Sequence, residues 1–370
     1  MEPAGASPDI FMAKEGFMMN KINVGVFFGG CSPEYSVSLS SASGVILNLD
    51  SEKYRPVLIG ISQDGQWFHY AGPVEKLLSD TWQNPADCVP AVLSPNRGDN
   101  CLLLLKESGI ERVPLDVAFP VLHGGNGEDG TLQGLLELSG IPIAGCGTLA
   151  SALGMDKDRA HRLVSLEGVR VPKHLVAEPD TPARRMEDFA EEIGYPLYVK
   201  PVKAGSSYGV TKVACREHLA AAVSLAFQYD SQVLIEENIP GFEVGCAVLG
   251  NRDLITGEVD EIELSGGFFD FTEKYTLKTS AIHVPARIDP AKAAEIKETA
   301  KRIYRALGCA GFARVDMFLT PEGEVVFNEV NTIPGFTEHS RYPGMMKAAG
   351  IPFREVISRI LELGLDTARA

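Results

Sequence analysis

At 370 residues the chain is too long for one ordinary hydrophobic core, so two or three domains are expected. Apolar content of 45% with 22% charged residues fits a soluble globular protein, and the formal net charge of -15 argues against nucleic acid as a partner while leaving room for a local basic pocket. No stretch reaches about 18 uninterrupted apolar residues, no signal peptide is evident, and seven scattered cysteines lack CxxC spacing; a cytoplasmic chain with reduced thiols is expected, without a membrane span, disulfide framework or zinc site.

Residues 1–20, with further methionines at Met18 and Met19, read as a poorly ordered extension. INVGVFFGG (22–30) is a nearly continuous apolar run ending in two glycines, as expected of a buried parallel strand entering a turn. A helix over 38–49, a strand over 54–62, a buried strand over 115–125 and a helix over 131–138 complete an N-terminal parallel α/β domain, 21–145. A central domain, 146–236, opens with one helix over 151–166. It continues with a strand over 195–202, the loop AGSSYG (204–209), a strand over 210–214, a helix over 217–229 and a strand over 233–237. The C-terminal domain, 237–370, has strands over 242–250 and 257–263, a Gly/Phe-rich loop, a helix over 290–307, a hairpin over 312–331 and a helix over 352–363.

The hairpin FARVDMFLTPEGEVVFNEVN carries the sharpest signal. With the turn centred on Glu322 and Gly323, and two or four loop residues, Asp316 lies opposite Glu329, Arg314 opposite Asn331 and Phe318 opposite Phe327, all on one face. Opposed carboxylates repel unless a divalent cation or a cationic ligand sits between them. A three-residue loop breaks this register, and a solvated hairpin is the competing reading. Lys157 in the first turns of a helix and Lys200 at the end of an apolar strand flank the small-residue loop, whose amides and hydroxyls can approach phosphate oxygens. Neither a Walker motif nor a dinucleotide fingerprint is present. Glu236, Glu237 and Glu243 surround a strand end, where they could meet an adenine amino group or ribose hydroxyls; exposed strand-end charge is the alternative. His123 leaves a buried strand where open α/β sheets place ligands, and a structural histidine is the alternative there.

The strings LHGGNGEDGTLQG (122–134), MDK (155–157), VKPVKAGSSYGV (199–210), EENIPGFE (236–243), EKY (273–275), ARVDMF (313–318) and NEVNTIPGFTEHSRYP (328–343) occur in the order found in one family. The chain resembles the D-alanine:D-alanine ligases and their vancomycin-resistance relatives, of the ATP-grasp superfamily, over about residues 21–365. The resemblance implies an ATP-grasp fold in which two α+β domains sandwich ATP. It also implies ligation through an acyl phosphate of a first D-alanine, cytoplasmic peptidoglycan precursor synthesis and a homodimer.

By match to the motifs, Asp316, Glu329 and Asn331 would hold two Mg2+ ions, with Mn2+ as a substitute. Lys157, Lys200, Ser207, Glu236, Glu237, Ile239, Glu243 and Phe268 would bind ATP. Arg314 and the Gly335 amide would form the oxyanion site, and Glu34 would take the first ammonium group, linked to Ser206 and Tyr275. His123 and Lys274 would lie near the substrates, and Ser340 would take the incoming carboxylate. Arg341 stands where D-alanine:D-alanine ligases commonly carry an apolar residue, and Phe269 where tyrosine is common. The SRYP string is shared with the resistance ligases, and the EKY loop is retained where D-lactate enzymes usually carry histidine. D-serine is therefore the expected second substrate, as in the VanG-like ligases, with Asp260, Phe269 and Arg341 as determinants and Arg341 reaching the serine hydroxyl directly or through Asp260. D-alanine is the rival substrate, and a nucleotide-binding sensor or scaffold without activity is the rival of another class.

Overall fold

The computed structural model describes residues 21–264 and 280–367. β1 (Ile22–Gly29) has a fully buried centre, which explains its unbroken apolar run, and lies parallel to β2 (Tyr54–Ile61), reached through α1 (Tyr35–Asn48). Four further strands extend the sheet from β2: β3 (Trp67–Tyr70), β4 (Cys88–Leu93), β5 (Cys101–Lys106) and β6 (Gly109–Pro114), with the short α2 (Glu75–Leu78) after β3. β7 (Val117–Pro120) closes the other side, giving the order β6-β5-β4-β3-β2-β1-β7. Only β2, β1 and β7 are parallel, so the expected parallel sheet is a mixed one. The added strands escaped the sequence reading because β3 is four residues long and β6 has no buried residue to mark a face. The strand expected over 115–125 stops at Pro120, and His123 and Gly124 lie in the turn before α3 (Thr131–Ser139).

The single helix expected over 151–166 is two, α4 (Thr148–Met155) and α5 (Lys157–Leu166). Asp156 between them is extended, at φ -88° and ψ 99°, and caps α5 by accepting from the Arg159 amide at 3.0 Å. Both helices pack into the core of the third sheet, with Ala150, Ala160 and Val164 against Val244, Val315 and Phe327.

The second sheet runs β10-β9-β11-β8, all antiparallel: β8 (His174–Ala177), β9 (Leu197–Pro201), β10 (Thr211–Val213) and β11 (Val233–Glu237). α6 (Ala183–Ile193) and α7 (Leu219–Ala226), the latter shorter than the helix expected over 217–229, contribute to its core. The third sheet runs β15-β14-β12-β16-β17, with β13 (Ile255–Thr256) also on β12. Its strands are β12 (Phe242–Leu249), β14 (Asp260–Leu264), β15 (Ser280–His283), β16 (Phe312–Leu319) and β17 (Val325–Asn331). The helix Pro290–Ala306 packs on this sheet; Arg341–Ala348 and Phe353–Thr367 are the last two helices described. Val24, Val26 and Phe28 of β1 share one apolar cluster with Tyr342, Met345, Val356 and Ile360 of those last helices.

β16 and β17 pair as expected near the site: Arg314 opposite Asn331, and Asp316 opposite Glu329. Nearer the turn the register differs. Leu319 pairs with Val325 and Phe318 with Val326, not Phe327, because residues 320–324 form a five-residue loop and Asn328 is the extra residue of a β-bulge that restores the register. The bulge also sorts the faces. Phe327 and Val330 enter the core while Asn328 and Glu329 line a cavity; an unbroken alternation places Glu329 on the side of Phe327.

Candidate active site

A cavity of about 320 Å³ lies between the second and third sheets. Its walls carry Lys157, Lys200, Ser207, Glu236, Glu237, Ile239 and Glu243, so seven of the eight side chains expected to bind nucleotide come together. Lys200 Nζ donates to Glu236 Oε1 at 2.7 Å across neighbouring strands, and Lys157 Nζ donates to the Ala204 carbonyl at 2.7 Å, 3.7 Å from Glu329 Oε2. Over them folds the glycine-serine loop, with Ser206 and Ser207 at φ 48° and 58°, the left-handed region that serine seldom occupies. Glu237 is engaged elsewhere on the rim, accepting from the Lys173 amide at 2.9 Å.

A second cavity, about 310 Å³, adjoins the first. Lys157, Ala204, Gly205, Ser206 and Glu329 line both and form a shared wall. Glu34, His123, Arg314, Asn331, Gly335, Ser340 and Arg341 complete it, and the Ser206 hydroxyl donates to Glu34 across the mouth. His123 is buried, which lowers its pKa to about 4; its Nδ1 meets the Ile333 carbonyl at 2.8 Å, so the proton sits on Nδ1 and Nε2 accepts from Ser41 Oγ at 3.0 Å. The ring is held as a neutral strut. Ser340 Oγ accepts from the Thr337 amide at 3.0 Å, which aims its turn into the cavity. Phe268, Phe269, Lys274 and Tyr275 lie outside the described residues.

Sequence reasoning missed Glu128, which lay inside the quoted glycine-rich string. Its carboxyl, partly buried and beside Glu34, is pushed up to about 8, and it accepts from the Gly124 amide at 2.7 Å and the Ile333 amide at 3.3 Å. It thereby ties the loop after β7 to the loop after β17.

One row of residues crosses four strands in register: Asp260 on β14, Gly245 on β12, Asp316 on β16 and Glu329 on β17. The Arg341 guanidinium lies over Gly245, where an added Cβ would stand 2.5 Å from Nη2. It donates to Asp260 at 2.7 and 2.9 Å and to Glu243 at 2.8 Å, and approaches Asp316 at 3.4 Å. Arg314 grips Asp316 through both oxygens, at 2.6 to 3.1 Å, and Asn331 donates to it at 2.9 Å. Protein cations therefore already offset the opposed carboxylates that suggested a metal. Arg341 is also more committed than expected: its donors are directed into a buried carboxylate cluster, so a serine hydroxyl would meet a guanidinium already shared by Asp260 and Glu243.

Residues 23–146 match the family described as D-ala D-ala ligase N-terminus, and residues 163–362 the one described as D-ala D-ala ligase C-terminus. The chain belongs to the D-alanine–D-alanine ligase family. Among solved structures, the VanG D-Ala:D-Ser ligase of Enterococcus faecalis is 54% identical at a TM-score of 0.87, covering 93% of this chain and 99% of that one. A Streptomyces coelicolor protein provisionally named a D-alanine–D-lactate ligase is 49% identical, over 94% of this chain and 99% of its own. The vancomycin B-type resistance protein VanB of Enterococcus faecalis is 46% identical over 94% of this chain and 100% of its own.

This D-alanine–D-alanine ligase family member has the ATP-grasp fold and is an ATP-dependent, peptide-bond-forming ligase that works with ATP and a divalent metal. The residues fit such an ion. Glu329 on the shared wall and Asn331 in the second cavity bring oxygen donors together, and Asn331, by turning its amide nitrogen to Asp316, directs its carbonyl oxygen away from that carboxylate. No helix among the described residues is long and apolar enough to cross a membrane.

Proposed function

We propose that this enzyme joins D-alanine to D-serine through a D-alanyl phosphate, producing an altered peptidoglycan precursor and with it glycopeptide resistance. The observation that carries the choice of D-serine is Arg341, a buried guanidinium beside Ser340 in the wall of the smaller cavity, anchored by Asp260. A polar group fixed there favours a substrate with a hydroxyl over one with a methyl.

The larger cavity would take ATP, its phosphates against Lys157, Lys200 and Ser207 and its adenine and ribose among Glu236, Glu237, Ile239, Glu243 and Phe268. Two Mg2+ ions held by Asp316, Glu329 and Asn331 would neutralise phosphate charge. Glu34, held by Ser206 and Tyr275, would orient the first ammonium group so that its carboxylate reaches the shared wall. Arg314, whose Nη1 lies outside its pair with Asp316, and the Gly335 amide would stabilise the alkoxide formed when the second amine attacks. Ser340 would receive the incoming carboxylate, with His123, Lys274, Phe269 and Asp260 shaping its surroundings. Segments 21–145, 146–236 and 237–370 would act as three units after the 1–20 extension, in a cytoplasmic homodimer.

ADP release measured with D-alanine plus D-serine, D-alanine or D-lactate tests this. Higher kcat/KM with D-serine is expected. Equal or better efficiency with D-alanine returns the enzyme to the D-alanyl-D-alanine reading, and ATP binding without turnover for any pair points to a sensor.

A further inference from the structure

His161 lies one turn after Lys157 on α5, fully buried and outside both cavities. Its Nε2 is 2.8 Å from the Asn328 carbonyl, which can only accept, so Nε2 carries the proton and Nδ1 of the neutral ring is a bare lone pair. Facing Nδ1 at 3.8 Å is Glu236 Oε2. Neither atom has a hydrogen-bond partner, although both are buried. Two acceptors confront each other across a gap that one proton would close. The other carboxylate oxygen, Oε1, takes Lys200 Nζ at 2.7 Å, and that lysine lines the larger cavity.

The surroundings restrict what can supply the proton. From β11 the ring faces Glu236, and from β9 Lys200. From β8 it meets His174, whose ring centroid is 5.1 Å away and whose Nε2 lies 3.1 Å from Asp158 of α5; from β17 it meets the Phe327 ring and the Asn328 carbonyl. With Lys200 in place, one cation already serves Glu236 and its positive charge opposes a second beside it. An anionic phosphate in the cavity competes for Lys200, and its departure leaves Glu236 without a cation.

We infer that His161 is a positioning residue for the nucleotide site: when phosphate draws Lys200 away, His161 takes a proton from solvent on Nδ1 and replaces the lysine as partner of Glu236. This rests on the reading of the larger cavity as the phosphate site. Binding and proton uptake are then linked. Nucleotide affinity falls as pH rises above the free-state pKa of about 4, by up to about tenfold per pH unit, until the pKa of the bound state is passed.

The test is calorimetric titration of the full chain with Mg2+ and the non-hydrolysable analogue AMP-PNP, in PIPES and in Tris, for the wild type and for His161→Gln. Glutamine can supply an N–H to Glu236 but cannot titrate. The wild type should take up more protons than the variant, and the affinity of the variant should lose the pH slope. In parallel, the Nδ1 resonance of 15N-histidine-labelled wild type should move from a bare to a protonated ring nitrogen on adding the analogue, which decides the matter even where the variant folds poorly. Binding with equal proton counts and an unmoved resonance overturns the role of His161 and leaves the nucleotide site standing. Absence of binding overturns the reading of the cavity itself.

Discussion

Arg341 shows how much a single side chain can be asked to do. Its guanidinium is 9% exposed and neutralises Asp260 and Glu243, with Asp316 close by, so replacing it with leucine leaves buried carboxylates without their cation. Arg341→Leu should therefore cost about 3–5 kcal/mol of stability rather than simply change substrate preference, which denaturant unfolding checks. Coupling it to Asp260→Asn removes one of the stranded charges, and substrate preference is better measured on that double variant, where a shift toward D-alanine is expected. Gly245→Ala tests the same arrangement without altering charge. Its methyl would displace the guanidinium, and both stability and turnover should fall. The sequence identified Arg341 and Asp260 but not Gly245 or the tie to Glu243, because the contact depends on a row of residues aligned across strands far apart in the chain.

Two elements differ from their sequence readings for identifiable reasons. The hairpin placed Asp316 against Glu329 legibly because charge and turn residues agreed, yet the loop has five residues and Asn328 absorbs the difference. Nothing in an alternation of side chains distinguishes one extra residue in the turn compensated by one in the strand from neither. The α4–α5 break was hidden for another reason, since both helices have apolar faces and only the cap at Asp156 separates them. That cap places Lys157 at the first position of α5 beside the shared wall. Asp156→Ala should cost about 1 kcal/mol in thermal unfolding and weaken nucleotide binding, whereas the same change at the exposed Asp188 on α6 should do neither. Strands β3 and β6 stayed illegible because short or water-facing strands carry little periodic apolar signal, whereas the leucine run of β5 was legible and went unread.

Across the molecule, two buried histidines and the half-buried Glu128 set an expected pH profile. Burial lowers His123 and His161 from 6.5 to about 4, so the unfolded chain binds more protons in that interval and stability falls as pH drops through it. Glu128 behaves oppositely. Raised from 4.5 to about 8 by burial and then by Glu34, it loses stability as pH rises through that range. Two rising contributions against one falling give a maximum near pH 6.5, measurable as the urea midpoint across the series. Glu128→Gln should flatten the alkaline side and steepen the rise between about pH 4.5 and 6.5, where its opposing contribution is removed.

The apolar cluster joining β1 to the last two helices has a consequence for synthesis on the ribosome. The face of β1 that carries Val24, Val26 and Phe28 is covered early, by Leu39, Ala42 and Val45 of α1 and by Tyr70 and Trp82, but the rest of the cluster waits for the helices that emerge last. During translation the sides of α1 and β7 that meet the last helix wait exposed to chaperones, and this cluster is complete only when the nearly finished chain closes back upon it.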